Sequence, residues 1–338
     1  MKSIGIVCCF FGSWPRWANL FVESCRHNPT IDFYLVTDCD VPLSGPAPNI
    51  TIVNLDVPRF NALATEKLGI QVRVRRPYKI VDFRPAFGVI FREYLEKYDF
   101  WGYCDLDVVF GDIRAFLTDD LLDQYDVIAT RKEIVTGHFT LFRNEDRITK
   151  IYQRSRDLEK VFGSEGITAF DECGWGIHFK LLRGQPFSEV ASEARIDSLM
   201  HVLERSPDVR VHRKTIMDEH LPFREPFASR VKEIRWDRGK IFDVPTGREL
   251  IYYHYQYLKQ EPGFYVPKWD RMPSAFLIKP LGVYWAGEGS EPHKLSTGIR
   301  RYLSFVGRGI SLYTRFFGGQ LLRLLRPGPR PQPQGGGS

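Results

Sequence analysis

Apolar residues occur along the first part of the chain in short runs separated by a segment of helical periodicity. Residues 4–11 and 31–38 are apolar runs rich in β-formers, and residues 16–27 carry apolar positions at helical spacing between them. Strand, helix and strand in this order predict a βαβ unit and hence a parallel sheet. The pattern therefore predicts the α/β fold class.

The rest of the folded chain continues this alternation. Residues 85–98 carry apolar side chains at helical spacing, and Asp82, just ahead of Pro85, is a candidate cap for that helix. Further elements are predicted along the chain: strands at residues 50–55, 100–110, 126–130, 137–142 and 251–257, helices at 60–70 and 145–162, and a hairpin at 231–243.

The composition is that of a soluble globular enzyme. Of the 338 residues, 43% are hydrophobic and 26% are charged, which is ordinary for that class. No run approaches the roughly 20 apolar residues of a membrane-spanning helix, and the N-terminus lacks a signal-peptide layout. The six cysteines form no CxxC pair, which argues against zinc and favours a reducing, cytoplasmic compartment.

The net charge of +6 belongs to one end of the chain. No acidic residue follows Glu291, whereas eight of the 47 basic residues do, which leaves 39 basic against 41 acidic side chains before residue 294. A nucleic-acid-binding protein would carry its basic excess on the folded body, so we expect no nucleic-acid partner.

The basic end also contains many apolar and aromatic residues. This composition suits an amphipathic segment on an anionic membrane surface, and a helix packed on the enzyme body is the alternative. We therefore predict a catalytic domain at residues 1–285, a basic amphipathic tail at 286–330, and a disordered segment or linker at 331–338. The tail predicts peripheral contact with the inner face of the cytoplasmic membrane.

The tripeptide Asp105-Leu106-Asp107 directly follows an apolar, aromatic run. Two carboxylates spaced by one residue in an extended segment point to the same side and address one divalent cation through oxygen ligands. Burying such a pair without a cation is costly, so the apolar lead-in favours a metal site over two solvated loop acids. A cation there neutralises a diphosphate leaving group.

Several segments together resemble one enzyme family. The tripeptide within residues 103–111, the βαβ start that ends at Asp38, the segment 77–85 and Gly137-His138-Phe139 are similar to GT-A glycosyltransferases, in particular bacterial enzymes of capsular polysaccharide and lipopolysaccharide O-chain synthesis. The similarity covers roughly residues 1–265. It implies a Rossmann-like GT-A fold with a mixed, mostly parallel central sheet flanked by helices.

The resemblance also implies a metal site and a donor site. Asp107 would bind Mn²⁺ or Mg²⁺ directly, Asp105 would serve both the metal and the donor ribose, and His254 would complete the metal site. A structural histidine in an aromatic strand is the alternative for His254. The predicted donor-binding residues also include Phe10, Phe11, Asp38, Leu106 and Lys259. A place in the core is the alternative for Phe10 and Phe11.

Polar residues ahead of the predicted helix at 85–98 are a further part of the donor site. Lys79, Asp82 and Arg84 stand where a helix N-terminus and basic side chains favour phosphate. The alternative is a helix cap with solvated charges.

The acid pair Asp171-Glu172 adjoins a glycine-rich turn. An inverting transferase needs a carboxylate that takes the proton of the acceptor hydroxyl, so both acids are candidate catalytic bases, with a helix-capping pair as the alternative. The predicted acceptor-binding residues are Gly137, His138 and Trp175.

The predicted activity is transfer of a hexose from a nucleotide-sugar donor, with a UDP-sugar favoured, to a hydroxyl of a glycan or lipid-linked oligosaccharide. Inversion is favoured over retention. The alternatives are a sugar nucleotidyltransferase, which usually carries a glycine-rich basic loop near the first strand, and a non-catalytic glycan-binding module.

Overall fold

The N-terminal apolar runs form the centre of a seven-stranded sheet in the computed structural model, which describes residues 1–40, 47–174, 176–219, 233–260, 264–269, 271–280 and 282–286. The strands in chain order are β1 (Ile4–Cys9), β2 (Asp32–Thr37), β3 (Ile50–Asn54), β4 (Phe100–Cys104), β5 (Val108–Phe110), β6 (Val127–Ala129), β7 (Phe139–Arg143), β8 (Val211–Arg213), β9 (Asp218–Glu219), β10 (Ile234–Asp237), β11 (Lys240–Asp243), β12 (Arg248–Leu250), β13 (Tyr252–His254), β14 (Ala275–Lys279) and β15 (Gly282–Trp285).

Short helices connect most of these strands. The α-helices are α1 (Ala18–Arg26), α2 (Val57–Leu68), α3 (Phe87–Ile90), α4 (Arg92–Leu95), α5 (Ile113–Phe116), α6 (Asp119–Gln124), α7 (Asp146–Thr149), α8 (Leu158–Gly163), α9 (His178–Leu182), α10 (Phe187–Val190) and α11 (Leu199–Glu204). The 3₁₀ helices are Pro77–Ala86, Ile151–Arg154, Ala191–Glu193 and Leu258–Gln260. Among the described residues, no helix is both long enough and apolar enough to cross a bilayer.

The large sheet has the strand order β3-β2-β1-β4-β7-β6-β8. β1 pairs in parallel with β2 and β4, whereas β7 runs antiparallel to both of its neighbours. Consecutive side chains of β1 point to opposite faces of the sheet. Val7 belongs to the same buried hydrophobic cluster as Phe87, and Ile6 belongs to the same cluster as Phe21. The predicted fold class, α/β with a mixed, mostly parallel central sheet flanked by helices, is confirmed.

Two smaller sheets complete the described fold. A three-stranded sheet has the order β5-β13-β9, and an antiparallel sheet has the order β12-β11-β10-β14-β15, which includes the predicted hairpin. The indole of Trp236 on β10 donates to the Phe110 carbonyl oxygen (3.0 Å), so the larger of these sheets supports β5. The predicted strand 100–110 is therefore divided between two sheets.

The predicted helix at 85–98 is replaced by three short elements. A 3₁₀ helix ends at Ala86, and α3 and α4 are separated at Phe91, whose φ of −106° and ψ of 29° leave the helical region. Pro85 lacks an N–H and disfavours helical backbone at the preceding residue, which explains the irregular start. Gly88 packs so closely on Trp101 that an added Cβ would lie 2.4 Å from the indole, so contact with β4 determines the backbone path.

Candidate active site

The three-stranded sheet places the Asp105–Asp107 turn beside His254. Leu106 and Asp107 form the turn that joins β4 to β5. In the sheet register, His254 of β13 lies opposite Val108, the first residue of β5. The Tyr255 N–H donates to the Asp107 carbonyl oxygen (3.2 Å), which holds the turn against β13. A turn followed by antiparallel pairing, rather than one extended segment, brings the carboxylates together.

Asp105, Asp107 and His254 form a possible metal-binding set. Each offers one ligand atom, and these atoms lie within 4.8 Å of one another. His254 Nε2 lies 3.4 Å from Asp107 Oδ2 and 3.7 Å from Asp105 Oδ2. Within the part of the chain that the structure describes, this buried nitrogen makes no hydrogen bond of good geometry, and the two carboxylates are its ion-pair partners. A buried imidazole nitrogen that faces two carboxylates fits a divalent cation held by two oxygens and one nitrogen.

Positive side chains compensate the two carboxylates in this structure. Burial raises the pKa of Asp107, but His254 and Lys259, whose Nζ contacts Asp107 Oδ2, bring that pKa below its ordinary value. Burial lowers the pKa of His254, but Asp107 and Glu219 raise it to about 10. The two carboxylates and their basic neighbours therefore form a charge-compensated cluster in this structure.

Arg84 connects the tripeptide to the acid pair. Its Nη2 contacts Asp105 Oδ1, and its Nη1 donates to Asp171 Oδ2 (2.8 Å) and to the Gly137 carbonyl oxygen (2.7 Å). The predicted segments 77–85, 105–107 and 171–172 therefore meet at one guanidinium. Its planar fork of donors allows it to contact two carboxylates at once.

The two candidate bases have different environments. Asp171 is 2% exposed, and burial raises its pKa although Arg84 opposes that shift. The Glu172 side chain is 21% exposed, with Oε1 accepting from the Gly137 N–H (3.1 Å) and Oε2 lying 3.3 Å from His178 Nδ1. Burial raises the pKa of Glu172, but His178 and His138 lower it to about 2. Glu172 is thus an ionised carboxylate with access to solvent.

Lys79 and Asp82 have a structural role in place of the predicted donor contact. Both side chains are fully buried, and Lys79 Nζ donates to Asp82 (2.8 Å) and to the carbonyl oxygens of Val161 and Gly166 (2.7 Å each). Asp82 accepts from the Thr168 and Phe170 N–H groups, so it does not cap the helix predicted at Pro85. The pair instead anchors the loop that leads to the acid pair.

That loop carries an unusual backbone conformation. Ala169, which lies two residues before Asp171, has a φ of 56°, a left-handed value that costs a residue with a Cβ about 1–3 kcal/mol. Its carbonyl oxygen accepts from the Gly174 N–H (2.9 Å), and this bond closes the turn that holds the acid pair. The buried Lys79–Asp82 pair therefore stabilises a strained turn beside Arg84.

The residues predicted to border the nucleotide divide into core and surface. Phe11 and Leu106 are buried in hydrophobic clusters, so the core alternative holds for Phe11 and the Leu106 side chain is not available for the donor. Phe10 is half-buried and stacks on Trp14 with 5.8 Å between ring centroids. Asp38 is exposed, and its Oδ1 accepts from the Gly12 N–H (2.7 Å).

The last predictions to be placed in the structure concern the acceptor-binding residues His138 and Trp175 and the C-terminal tail. His138, predicted to line the acceptor site, is buried behind His254, with 4.3 Å between the ring centroids, and its Nδ1 lies 2.8 Å from the Tyr252 hydroxyl. Trp175 lies outside the described residues, and so do residues 287–330 of the predicted tail and the segment 331–338.

Most of the chain matches one sequence family. Residues 6–283 match a family described as "Family of unknown function (DUF6625)". The chain belongs to this family. No curated protein matches it.

Solved structures with partial similarity to this DUF6625 protein include two glycosyltransferases. Galactosyltransferase LgtC, in complex with donor and acceptor sugar analogues, shares 12% identity over 77% of this chain and 88% of its own, with a TM-score of 0.34. Glycosyltransferase GlyE of Streptococcus pneumoniae TIGR4 shares 17% identity over 47% of this chain, with a TM-score of 0.29. The match spans 39% of the GlyE chain.

Sequence reasoning missed two site residues of this DUF6625 protein. Glu219 Oε2 lies 3.3 Å from His254 Nδ1, and Glu219 Oε1 lies 2.5 Å from Arg131 Nη2. Neither residue belongs to a motif, and both lie far from the tripeptide in sequence. The parallel pairing of β9 with β13 brings Glu219 to the site, whereas Arg131 follows the end of β6, and neither placement has a local sequence signal.

Proposed function

We propose that this protein is a metal-dependent glycosyltransferase of the GT-A type. In this proposal it transfers a hexose from a nucleotide-sugar donor, with a UDP-sugar favoured, to a hydroxyl of a glycan or lipid-linked acceptor. The observation that supports it most is the buried His254 Nε2, which faces the carboxylates of Asp105 and Asp107 at the carboxyl end of β4. In open α/β sheets, ligands bind at this end of the strands.

The proposed metal site has a defined chemical task. Asp105, Asp107 and His254 would hold Mn²⁺ or Mg²⁺, which when bound supplies positive charge to the diphosphate of the donor. Lys259, whose side chain is one quarter exposed and contacts Asp107, would add a second positive charge near that diphosphate. Arg84 would keep Asp105 in place through its contact with Oδ1.

Glu172 is the proposed catalytic base. A base must be within reach of the acceptor hydroxyl, and of the two acids Glu172 is the one with access to solvent. Asp171 instead lies against Arg84 in the interior, where it stabilises the arrangement. Gly137 allows this geometry, because an added Cβ would lie 2.6 Å from Asp171 Oδ2 and 2.9 Å from Glu172 Oε1.

The Glu172→Gln variant tests this assignment. We expect its rate of glycosyl transfer to fall about 10²–10⁴-fold, because the amide cannot take the proton of the acceptor hydroxyl. Its Mn²⁺ affinity should stay within about twofold of the wild type. The measurement is nucleotide release from a panel of nucleotide sugars, with Mn²⁺ and glycan acceptors present.

A matched control separates catalysis from general charge effects. Glu193→Gln removes an exposed carboxylate that pairs with the exposed Lys180, and it should leave the rate unchanged. A Glu172→Gln variant that transfers as fast as the Glu193→Gln variant would overturn the role of Glu172 as base. No release from any nucleotide sugar by the wild type would oppose the proposed function itself.

The acceptor and the location belong to the same proposal. A lipid-linked acceptor agrees with the acid-free, basic and aromatic composition of residues 294–330, which suits peripheral contact with an anionic membrane.

A further inference from the structure

Glu219 lies on the side of the His254 imidazole that faces away from the two aspartates. His254 Nε2 faces Asp105 and Asp107, whereas Nδ1 lies 3.3 Å from Glu219 Oε2. The parallel register of β9 and β13 places Glu219 directly opposite His254, so the contact follows from the backbone pairing. Both side chains are buried, which shields the contact from water.

Arg131 restrains Glu219 from the other side. Its Nη2 lies 2.5 Å from Glu219 Oε1, and the Arg131 side chain is 4% exposed. The two oxygens of Glu219 therefore have separate partners, and the carboxylate has one preferred orientation.

This arrangement determines which imidazole nitrogen is available. When Nδ1 carries the proton and donates it to a carboxylate, the lone pair of Nε2 would be free to bind a cation, and the hydrogen bond fixes the orientation of the ring. We propose that Glu219, oriented by Arg131, is a positioning residue that sets the tautomer and ring orientation of His254 for metal binding. The proposal rests on the proposed function, because it takes His254 as a metal ligand.

A second ion between His138, Glu219 and His254 is the competing explanation, since their ligand atoms also lie within 4.8 Å of one another. Existing contacts argue against it. Glu219 already contacts Arg131 and His254, and His138 Nδ1 lies 2.8 Å from the Tyr252 hydroxyl. His254 would also have to bind both ions. A positioning role explains the contacts of Glu219 with Arg131 and His254 without a second metal ion.

Calorimetric titration of the full chain with Mn²⁺ tests the proposal. We expect Glu219→Gln to weaken Mn²⁺ binding about 10–100-fold, the usual effect of losing a carboxylate behind a ligating histidine. One end of the amide must face Arg131 or His254 with an N–H group, which disturbs either the anchor or the tautomer. Glu219→Asp, which keeps the charge but shortens the reach, should weaken binding as well and provides a second variant if the first fails to fold.

Two further variants distinguish the possible failures. Glu66→Gln removes an exposed carboxylate on α2 that pairs with Lys67 and serves as the charge-matched control, with an expected change in affinity below about twofold. Asp107→Ala tests the metal site itself. If Asp107→Ala removes Mn²⁺ binding while Glu219→Gln and Glu219→Asp bind like the wild type, the positioning role is wrong and the proposed function stands. Equal weakening by Glu66→Gln and Glu219→Gln would also contradict the positioning role.

The nitrogen coupling of bound Mn²⁺ gives a readout that a general loss of stability would not change. In the wild type, pulsed electron paramagnetic resonance should detect one directly bound imidazole nitrogen. In Glu219→Gln loaded at saturating Mn²⁺, that coupling should be altered or lost while the protein remains folded. An unchanged coupling in this variant would overturn the proposal, and two coupled imidazoles or two Mn²⁺ per wild-type chain would favour the second-ion explanation instead.

Discussion

Replacing Asp107 with alanine is expected to abolish Mn²⁺ binding and glycosyl transfer together. Asp107 is buried, and its Oδ2 faces both His254 and Lys259. Loss of a residue behind a metal ligand weakens binding about 10–100-fold, so loss of the ligand itself should exceed about 100-fold. Transfer should fall at least about 10²–10³-fold, because the charge that stabilises the leaving diphosphate is lost. Calorimetry with Mn²⁺ and a nucleotide-release assay measure the two effects.

The control for Asp107→Ala replaces a carboxylate on the protein surface. Asp123 is exposed on α6 and pairs with Lys2, so Asp123→Ala should bind Mn²⁺ and transfer like the wild type. Asp107→Asn preserves the side-chain volume and guards against a packing artefact at a buried position. Mn²⁺ affinity or activity of Asp107→Ala equal to that of Asp123→Ala would contradict the assignment of the metal ligand.

The Arg84→Met variant is expected to lose about 3–5 kcal/mol of unfolding free energy. Removing one partner of a buried ion pair leaves an uncompensated charge, and Arg84 compensates Asp105 and Asp171 at the same time. Urea unfolding followed by circular dichroism measures this loss. The unfolding free energy of Arg84→Lys should lie between those of the wild type and Arg84→Met, because an ammonium lacks the planar fork that bonds both carboxylates.

A double variant shows whether the carboxylates cause the loss. Asp171→Asn in the Arg84→Met background removes one unpaired charge and should be coupled to it by about 0.5–3 kcal/mol. The exposed arginine Arg92, which pairs with Glu96 on the surface, provides the control, and Arg92→Met should change stability by less than about 0.5 kcal/mol. Equal stability of Arg84→Met and Arg92→Met would show that Arg84 does not hold the site together.

Local sequence patterns predicted six of the seven strands of the central sheet, and β8 was not predicted. The apolar runs 4–11 and 31–38 are strands because their side chains are buried on both faces, which is how strands in parallel sheets are recognised. The tripeptide ending β4 and the aromatic strand of His254 were also found, since each has an apolar run beside a polar residue. Their proximity in the structure agrees with the ligand set suggested by the family resemblance.

Long-range packing accounts for what the sequence did not predict. The helix at 85–98 was expected from its periodicity, but the Gly88 contact with Trp101 and the break at Phe91 depend on β4. Lys79 and Asp82 have the composition of a phosphate site, yet they bond to a loop some 80 residues later. No local pattern distinguishes a buried ion pair from a solvated one.

Nucleotide binding with and without the metal tests the central claim most directly. Calorimetric titration of UDP into the full chain should give measurable binding with Mn²⁺ at saturation, and that binding should be lost when EDTA replaces the metal. The account predicts this because a cation held by Asp105, Asp107 and His254 would supply most of the positive charge that binds the diphosphate. The same affinity for UDP in Mn²⁺ and in EDTA, or no binding of UDP, GDP or dTDP in Mn²⁺, would contradict it.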